Sequence, residues 1–328
     1  MDEFSLIAKI RDKLAEKNDR VRVGIGDDAA VLVPPKGNLL TTTDCLVESV
    51  HFDLKFSSPE ELGQKALAVN LSDIAAMGGT PLYALVSLGI RNGISEEFIL
   101  NMYDGIKRMA DRFQVAVVGG NITQSPGHFF VDITVIGEAE SYWTRSGARE
   151  GDRVAVTGRL GGSACGLRLL QEKGTGVRNQ FADLVDSHLA PIPCLREAKL
   201  LMGLDAVTSA IDISDGLSSE LHHLAQSSDL GFEIEAAKIP FASKLKEACK
   251  LLGADPMEFA LHGGEEYQLL LTMKPEKWEE SLEVLRKAGA ELTEIGKCTS
   301  LTRSVILVDS LGKKLPLQPK GWNHLNYS

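Results

Sequence analysis

One carboxylate in unfavourable surroundings sets the first constraint. Residues 66–77 run Ala-Leu-Ala-Val-Asn-Leu-Ser-Asp-Ile-Ala-Ala-Met, a helical stretch with little polar face, and Asp73 stands inside it. Ser58-Pro59-Glu60-Glu61 opens the helix with a Ser cap, Pro at the first position and Glu three residues after the cap. Gly78-Gly79 ends it. A carboxylate among apolar side chains is costly unless a cation or hydrogen-bond donors meet it. Asn70 and Asp73 are three apart and share one side of the helix. A metal-facing role is the expectation for Asp73.

Around this helix the pattern is α/β. Residues 5–17 read as a short amphipathic helix, followed by strands at Val21–Ile25, Ala29–Val33 and Leu39–Thr43. Leu82–Ile90 is a buried strand, Ser95–Phe113 a helix, and Gln114–Val118 and Phe129–Gly137 further strands. The polar, turn-rich run Arg145–Asp152 resets the pattern, which predicts two domains, 1–147 and 148–328. The second half alternates strands (Val154–Thr157, Ala206–Ile213, Phe232–Ile234, Tyr267–Thr272, Val305–Val308) with helices (Gly162–Glu172, Cys194–Met202, Ser218–Ser227, Ser243–Leu252, Pro275–Ala288). A chain of 328 residues exceeds what one core usually serves, in keeping with that division.

Charge narrows the function classes. The formal net charge of −10 disfavours nucleic-acid binding, which needs a basic stripe. Phosphate esters remain possible ligands if metal ions stand between the like charges. No apolar run reaches bilayer-spanning length, so no membrane partner is expected. Met1-Asp2-Glu3-Phe4 lacks the layout of a secretion signal. Cys45, Cys165, Cys194, Cys249 and Cys298 are scattered, without a CxxC pair, and read as buried small hydrophobes in a reducing cytoplasm.

More aspartates recur beside glycines. Gly26-Asp27-Asp28 follows a strand, Thr41-Thr42-Thr43-Asp44 closes another, and Asp212-Ile213-Ser214-Asp215-Gly216 lies between a strand and a helix. Taken singly, Asp27-Asp28 fits an Asx turn, Asp44 a strand-end turn, and Ser214 or Asp215 a helix cap. Gly119-Gly120-Asn121 after its strand and Gly263-Gly264-Glu265-Glu266 before another offer bare backbone to a phosphate. No GxxxxGK[ST], GxGxxG or HRD/DFG set occurs. Oxygen-rich, thiolate-free sites suit Mg²⁺, and many aspartates beside glycine turns imply metal-bridged phosphate binding.

The ordered string GIGDDAA, TTTDCLVESVHF, AVNLSDIAAMGG, GGNIT, TRSGAREGD, AIDISDGL, LHGGEEYQLLL and GWNHL resembles the thiamine-monophosphate kinase family, over residues 24 to about 324. That family shares a superfamily with aminoimidazole ribonucleotide synthetase, selenophosphate synthetase and a hydrogenase maturation protein. The resemblance implies a two-domain aminoimidazole ribonucleotide synthetase-like fold. In it the N-terminal domain forms an intersubunit β-barrel in a homodimer, the C-terminal domain is an α/β sandwich, and the site lies between domains. Carried over by motif, Asp28, Thr42, Thr43, Asp44, Asp73, Asn121, Asp212 and Asp215 would bind several Mg²⁺ ions. Tyr103, Gly120, Asn121, Arg145 and Ser214 would contact ATP, and His51, Glu265 and Trp322 thiamine monophosphate. An indole suits a flat heteroaromatic cation, a core or lid tryptophan being the alternative. GGDT is usual where Gly120-Asn121-Ile122-Thr123 stands here, and Glu266 and Gln268 replace the commoner Asp and Glu of GGEDYEL.

The expected reaction is direct in-line transfer of the ATP γ-phosphoryl group, with no covalent enzyme intermediate and no strong general base. The alternatives are another ATP-dependent enzyme of the superfamily, or a nucleotide- and metal-binding homologue weakened in catalysis at Asn121. The superfamily's hydrogenase-maturation branch expects a C-terminal cysteine, where this chain reads Asn326-Tyr327-Ser328. Selenophosphate synthetase expects a reactive cysteine ahead of Cys45.

Overall fold

The computed structural model describes residues 2–14 and 18–322. The chain divides into two compact units: Met1–Ile74 with Gly79–Ser141, and Ala75–Gly78 with Tyr142–Ser328.

The first unit contains helix α1 (Glu3–Leu14), the two-stranded pair β1 (Val21–Val23) and β2 (Val31–Leu32), and strand β3 (Asn38–Val47). Helix α2 (Pro59–Ala76), strand β4 (Thr80–Ile90), helix α3 (Glu96–Phe113), strand β5 (Ala116–Gln124) and strand β6 (Phe130–Ala139) complete it. Strands β3, β6, β4 and β5 form one sheet in that order, antiparallel except for the β4/β5 pair, whose connection is α3. The α2 capping box forms as read: Ser58 N–H donates to Glu61 Oε2 at 2.9 Å and Glu61 N–H to Ser58 Oγ at 3.3 Å. Ser95 caps α3 through Phe98 N–H. Alternation along β6 buries Val131, Ile133 and Val135 on one face of the sheet.

Three expectations change here. Asp44 does not close its strand, because β3 continues to Val47. Gly119-Gly120-Asn121 is not a turn either. It lies inside β5, with Gly120 opposite Val86 and Asn121 opposite Ser87. A Cβ at Gly120 would stand 1.8 Å from the Val86 carbonyl oxygen, so this glycine serves a close approach to β4. Cys45 is exposed, unlike the four other cysteines, because alternation in β3 turns it away from the buried face.

The second unit starts with strand β7 (Arg153–Thr157) and helices α4 (Gly162–Lys173), α5 (Arg178–Leu189) and α6 (Leu195–Met202). Strand β8 (Val207–Asp212), helix α7 (Leu217–Ser228), strand β9 (Gly231–Glu235), helices α8 (Leu245–Leu252) and α9 (Pro256–His262) and strand β10 (Leu269–Met273) follow. Helix α10 (Trp278–Lys287) and strands β11 (Leu292–Thr299), β12 (Val305–Val308) and β13 (Lys314–Pro316) end it. The mixed sheet runs β13-β12-β9-β11-β7-β10-β8, with only β12/β9 parallel. Leu217, Leu221 and Leu224 of α7 pack on Val154, Val156, Ile211 and Leu270 of the sheet. Leu169, Phe181, Leu184, Leu245 and Leu252 form a second core among α4, α5 and α8.

Candidate active site

In the first unit the need for a donor at Asp73 is met by Thr42, whose Oγ1 donates to Asp73 Oδ2 at 2.5 Å. Asp44 lies two residues along on the same face of β3 as Thr42. Thr43 points the other way, where its hydroxyl meets Thr134 at 3.1 Å and Asp132 at 3.3 Å. Asn121 also belongs to that opposite face, in the row Cys45, Asp132, Ser87, Asn121 across all four strands. The fold therefore bonds Thr42 to Asp73 and puts Asp44 on the same face of β3, and it turns the Thr43 hydroxyl and Asn121 to the other face. Asp28 is exposed in the β1–β2 connection, and Asp27 Oδ1 accepts from Asp28 N–H at 2.9 Å, one residue on rather than the two of an Asx turn. Tyr103 is buried on the inner side of α3, and burial raises its phenol.

His51 sits in the turn after β3. Val47 N–H donates to its Nδ1 at 3.0 Å, so the ring proton is on Nε2. The turn is braced twice. Buried Lys65 of α2 donates to the His51 carbonyl at 3.2 Å. Glu48 takes two bonds from Arg91, at 2.6 and 2.7 Å, and one from Phe129 N–H. The Arg91 hydrogen bonds hold the Glu48 carboxyl below its ordinary value.

In the second unit, sequence-distant segments meet at the β8–α7 loop. Asp212 is buried at the end of β8, and the N-cap position of α7 falls on Gly216 rather than on Ser214 or Asp215. Glu265 N–H donates to the Ser214 carbonyl at 2.6 Å, and the Ile213 carbonyl accepts from Glu266 and Tyr267 N–H. Trp322 N–H donates to the Asp215 carbonyl at 3.1 Å, and its side chain is 57% exposed. The segment ahead of it is strapped to α7 by His222 Nε2 to the Leu317 carbonyl, Lys320 N–H to Ser218 Oγ and Gly321 N–H to Ser219 Oγ. Asn323 and His324, part of the GWNHL string, lie outside the described residues.

Three groups absent from the sequence motifs support this cluster. Buried Glu220 accepts from Asp215 N–H at 3.0 Å. Desolvation pushes its carboxyl up to about 7, with the Asp215 charge adding to the rise and Arg145 opposing it. The Arg145 charge thus reaches the same loop as Ser214 and Asp215. Ser163 and His188 stand behind Glu265 and Glu266. Gln268 joins this loop only through its backbone, whose carbonyl accepts from Ile213 N–H at 2.7 Å, while its side-chain Oε1 accepts from Thr157 at 3.0 Å and from Cys194 at 3.3 Å in the core beside β7.

The donors on both units are hydroxyl and carboxylate oxygens, which suit a hard cation. Among the described residues no three His, Cys, Asp or Glu side chains cluster tightly enough to cage a metal. Mg²⁺ is usually held by one or two carboxylates with substrate phosphates and water. A set such as Thr42, Asp44 and Asp73 fits that mode.

The two halves of the chain match the two family models of AIR synthase related proteins, the N-terminal domain over residues 26–139 and the C-terminal domain over residues 149–309. Fold and site thus define a two-domain member of that class. Full-length relatives make the family specific. Thiamine-monophosphate kinase of Aquifex aeolicus (strain VF5) is 38% identical over 324 residues, 99% of this chain and 98% of the relative. The enzyme of that name from Bacillus subtilis (strain 168) is 37% identical over 330 residues, 99% of each. The chain belongs to the thiamine-monophosphate kinase family. Among solved structures, AaThiL complexed with AMPPCP and TMP superposes with a TM-score of 0.79 at 37% identity, over 98% of this chain and 97% of that one.

Proposed function

We propose that this chain transfers the γ-phosphoryl group of ATP to thiamine monophosphate, giving thiamine diphosphate and ADP. The observation that carries the reading is the loop cluster in which Ser214, Asp215, Glu265 and Trp322 are tied by backbone hydrogen bonds, in a chain of this family. Tyr103, Gly120, Asn121, Arg145 and Ser214 contact ATP. His51, Glu265 and Trp322 contact thiamine monophosphate. Asp28, Thr42, Asp44 and Asp73 in the first unit and Asp212 and Asp215 in the second would hold Mg²⁺, and Thr43 and Asn121, which lie along the other face of the first unit's sheet, would hold it apart from the Thr42–Asp73 pair. When bound, Mg²⁺ neutralises charge on the oxygens of the transferring phosphoryl group.

The residues of the chain supply positioning. A phosphate monoester has a second pKa of about 6 and is already an anion near neutral pH, so no protein base has to activate it. Its terminal oxygen attacks the γ-phosphorus in line, and the bond from that phosphorus to the β–γ bridging oxygen breaks as ADP leaves. The His51 tautomer fits an anionic oxygen, because Nε2–H donates. The exposed Trp322 indole fits a flat cationic ring.

The assembly proposed is a homodimer in which two four-stranded sheets close into a barrel. Two features support it: the face of the sheet opposite α2 and α3 carries exposed Leu39, Thr41, Thr43 and Cys45, and β3 and β5 are open edges. No helix among the described residues is long and apolar enough to cross a membrane. A cytoplasmic location is the reading that suits five unpaired cysteines.

The test is product analysis after incubation with ATP, Mg²⁺ and thiamine monophosphate. Thiamine diphosphate and ADP in equal amounts are expected, abolished by a chelator and strongly reduced in Asp73→Ala. ATP binding without products would leave a nucleotide-binding homologue. Wild-type turnover by Asp73→Ala at saturating Mg²⁺ would remove Asp73 from the metal set.

A further inference from the structure

His188 belongs to none of the motifs, yet it reaches one of the groups assigned to the acceptor. It stands in the last turn of α5 and is 2% exposed. Its Nδ1 lies 3.1 Å from Glu265 Oε2 and 3.3 Å from Ser163 Oγ. A carboxylate only accepts, so the contact with Glu265 is attractive when Nδ1 carries the proton, and the Ser163 hydroxyl oxygen then accepts from the same N–H.

Glu265 is held at both ends. Its backbone has φ of 61°, the left-handed region that a side-chain-bearing residue keeps only with support. Its N–H is bonded to the Ser214 carbonyl, and its carboxylate lies 3.1 Å from the imidazole Nδ1. Ser163 links the pieces: its hydroxyl meets His188, and its N–H donates to Glu266 Oε1 at 3.2 Å. A glutamate otherwise has several rotatable bonds to immobilise when a ligand arrives, and fixing them beforehand removes that cost from binding.

We propose that His188 is a positioning residue that fixes the Glu265 carboxylate toward the acceptor, with Ser163 seating the imidazole. The inference rests on the assignment of Glu265 as a contact to thiamine monophosphate. The carboxylate then presents a fixed lone pair to a donor or a positive charge on the acceptor's organic portion, away from the transferring phosphoryl group. Loss of His188 should therefore weaken acceptor binding and leave ATP binding nearly unchanged.

Steady-state kinetics with each substrate varied test this on His188→Ala, His188→Asn, Glu265→Ala and the double variant His188→Ala/Glu265→Ala. Thermal melting checks that each is folded. His188→Ala is expected to raise KM for thiamine monophosphate roughly ten-fold or more, with KM for ATP changed less than about two-fold. His188→Asn, whose amide N–H replaces Nδ1–H, should recover most of the loss. The double variant should be no worse than Glu265→Ala alone. An unchanged acceptor KM in folded His188→Ala, or an equal rise in both KM values, overturns the proposal. If His188→Ala does not fold, His188→Gln places the amide beyond the Nδ1 position and should raise the acceptor KM relative to His188→Asn. Equal values for these two overturn it as well. An unchanged acceptor KM in Glu265→Ala would instead refute the assignment of Glu265 on which the inference rests.

Discussion

Glu266 is 8% exposed, and burial pushes its carboxyl up to about 8 although the N–H groups of Gly161, Gly162 and Ser163 favour the charged form. In the unfolded chain the same group titrates at its ordinary 4.5. Between these values the folded chain binds more protons than the unfolded one. The contribution of Glu266 to stability is thus fully present below pH 4.5 and is lost as pH rises through about 8. Glu266→Gln cannot titrate, so its urea midpoint should depend less steeply on pH across that window. A slope equal to wild type would mean that Glu266 titrates normally. Residues of this kind differ in how much the sequence reveals of them. Asp73 is anomalous among its own neighbours, so one helix suffices to mark it and to demand a donor, which is Thr42. His188 is ordinary at its position and lies 25 residues from Ser163, so only the fold makes it a partner of Glu265.

Helices α2 and α3 cross at two glycines, where backbone meets backbone. A Cβ at Gly105 would lie 2.0 Å from the Glu60 carbonyl oxygen, and one at Gly63 would lie 1.9 Å from that of Met102. In an exposed helix, alanine for glycine is favourable by about 1 kcal/mol. Here the obstacle is backbone, which cannot swing aside, and overpacking typically costs about 1–3 kcal/mol. Gly105→Ala should therefore be destabilising, with a lower denaturant midpoint, and a gain in stability would show that the helices part easily. The same distinction decides which elements the sequence discloses. The start of α2 is written locally in Ser58, Pro59 and Glu61, and the structure keeps it. Strand β11 is hidden because Gly296 interrupts its apolar pattern, and that glycine answers to a distant strand: a Cβ would stand 2.1 Å from the Glu233 carbonyl oxygen, beside a register shift. Helix α5 lacks a side-chain cap and is polar over most of its length, so the sequence does not mark it, although it carries His188. Strand β5 reads as a short strand and a turn for the reason that applies to β11.

At the scale of the molecule, the sheet of the first unit has one face filled by helices and one that is not. On β3 the even positions Leu40 and Leu46 are buried, while Leu39, Thr41, Thr43 and Cys45 are exposed, Leu39 at 61%. At its far end the open face is partly covered: Leu82, Tyr83 and Val118 pack with Val21 and Leu32 of the β1–β2 pair, and the Tyr83 hydroxyl donates to the Val33 carbonyl at 2.7 Å. The β3 end has no such cover among the described residues. An exposed leucine on a strand that also presents an open edge invites association, and closing the sheet against a second copy removes both liabilities. If the proposed barrel forms, charges placed on this row repel across a symmetric interface, because each copy presents the same residue to its partner. Leu39→Lys combined with Thr41→Lys changes outward-facing positions and leaves Thr42, Asp44 and Asp73 on the other face. In light scattering, wild type should have twice the 35.5 kDa mass of one chain, and the double variant the mass of one chain. A variant that stays dimeric would put the interface elsewhere, and a monomeric wild type would remove the barrel altogether.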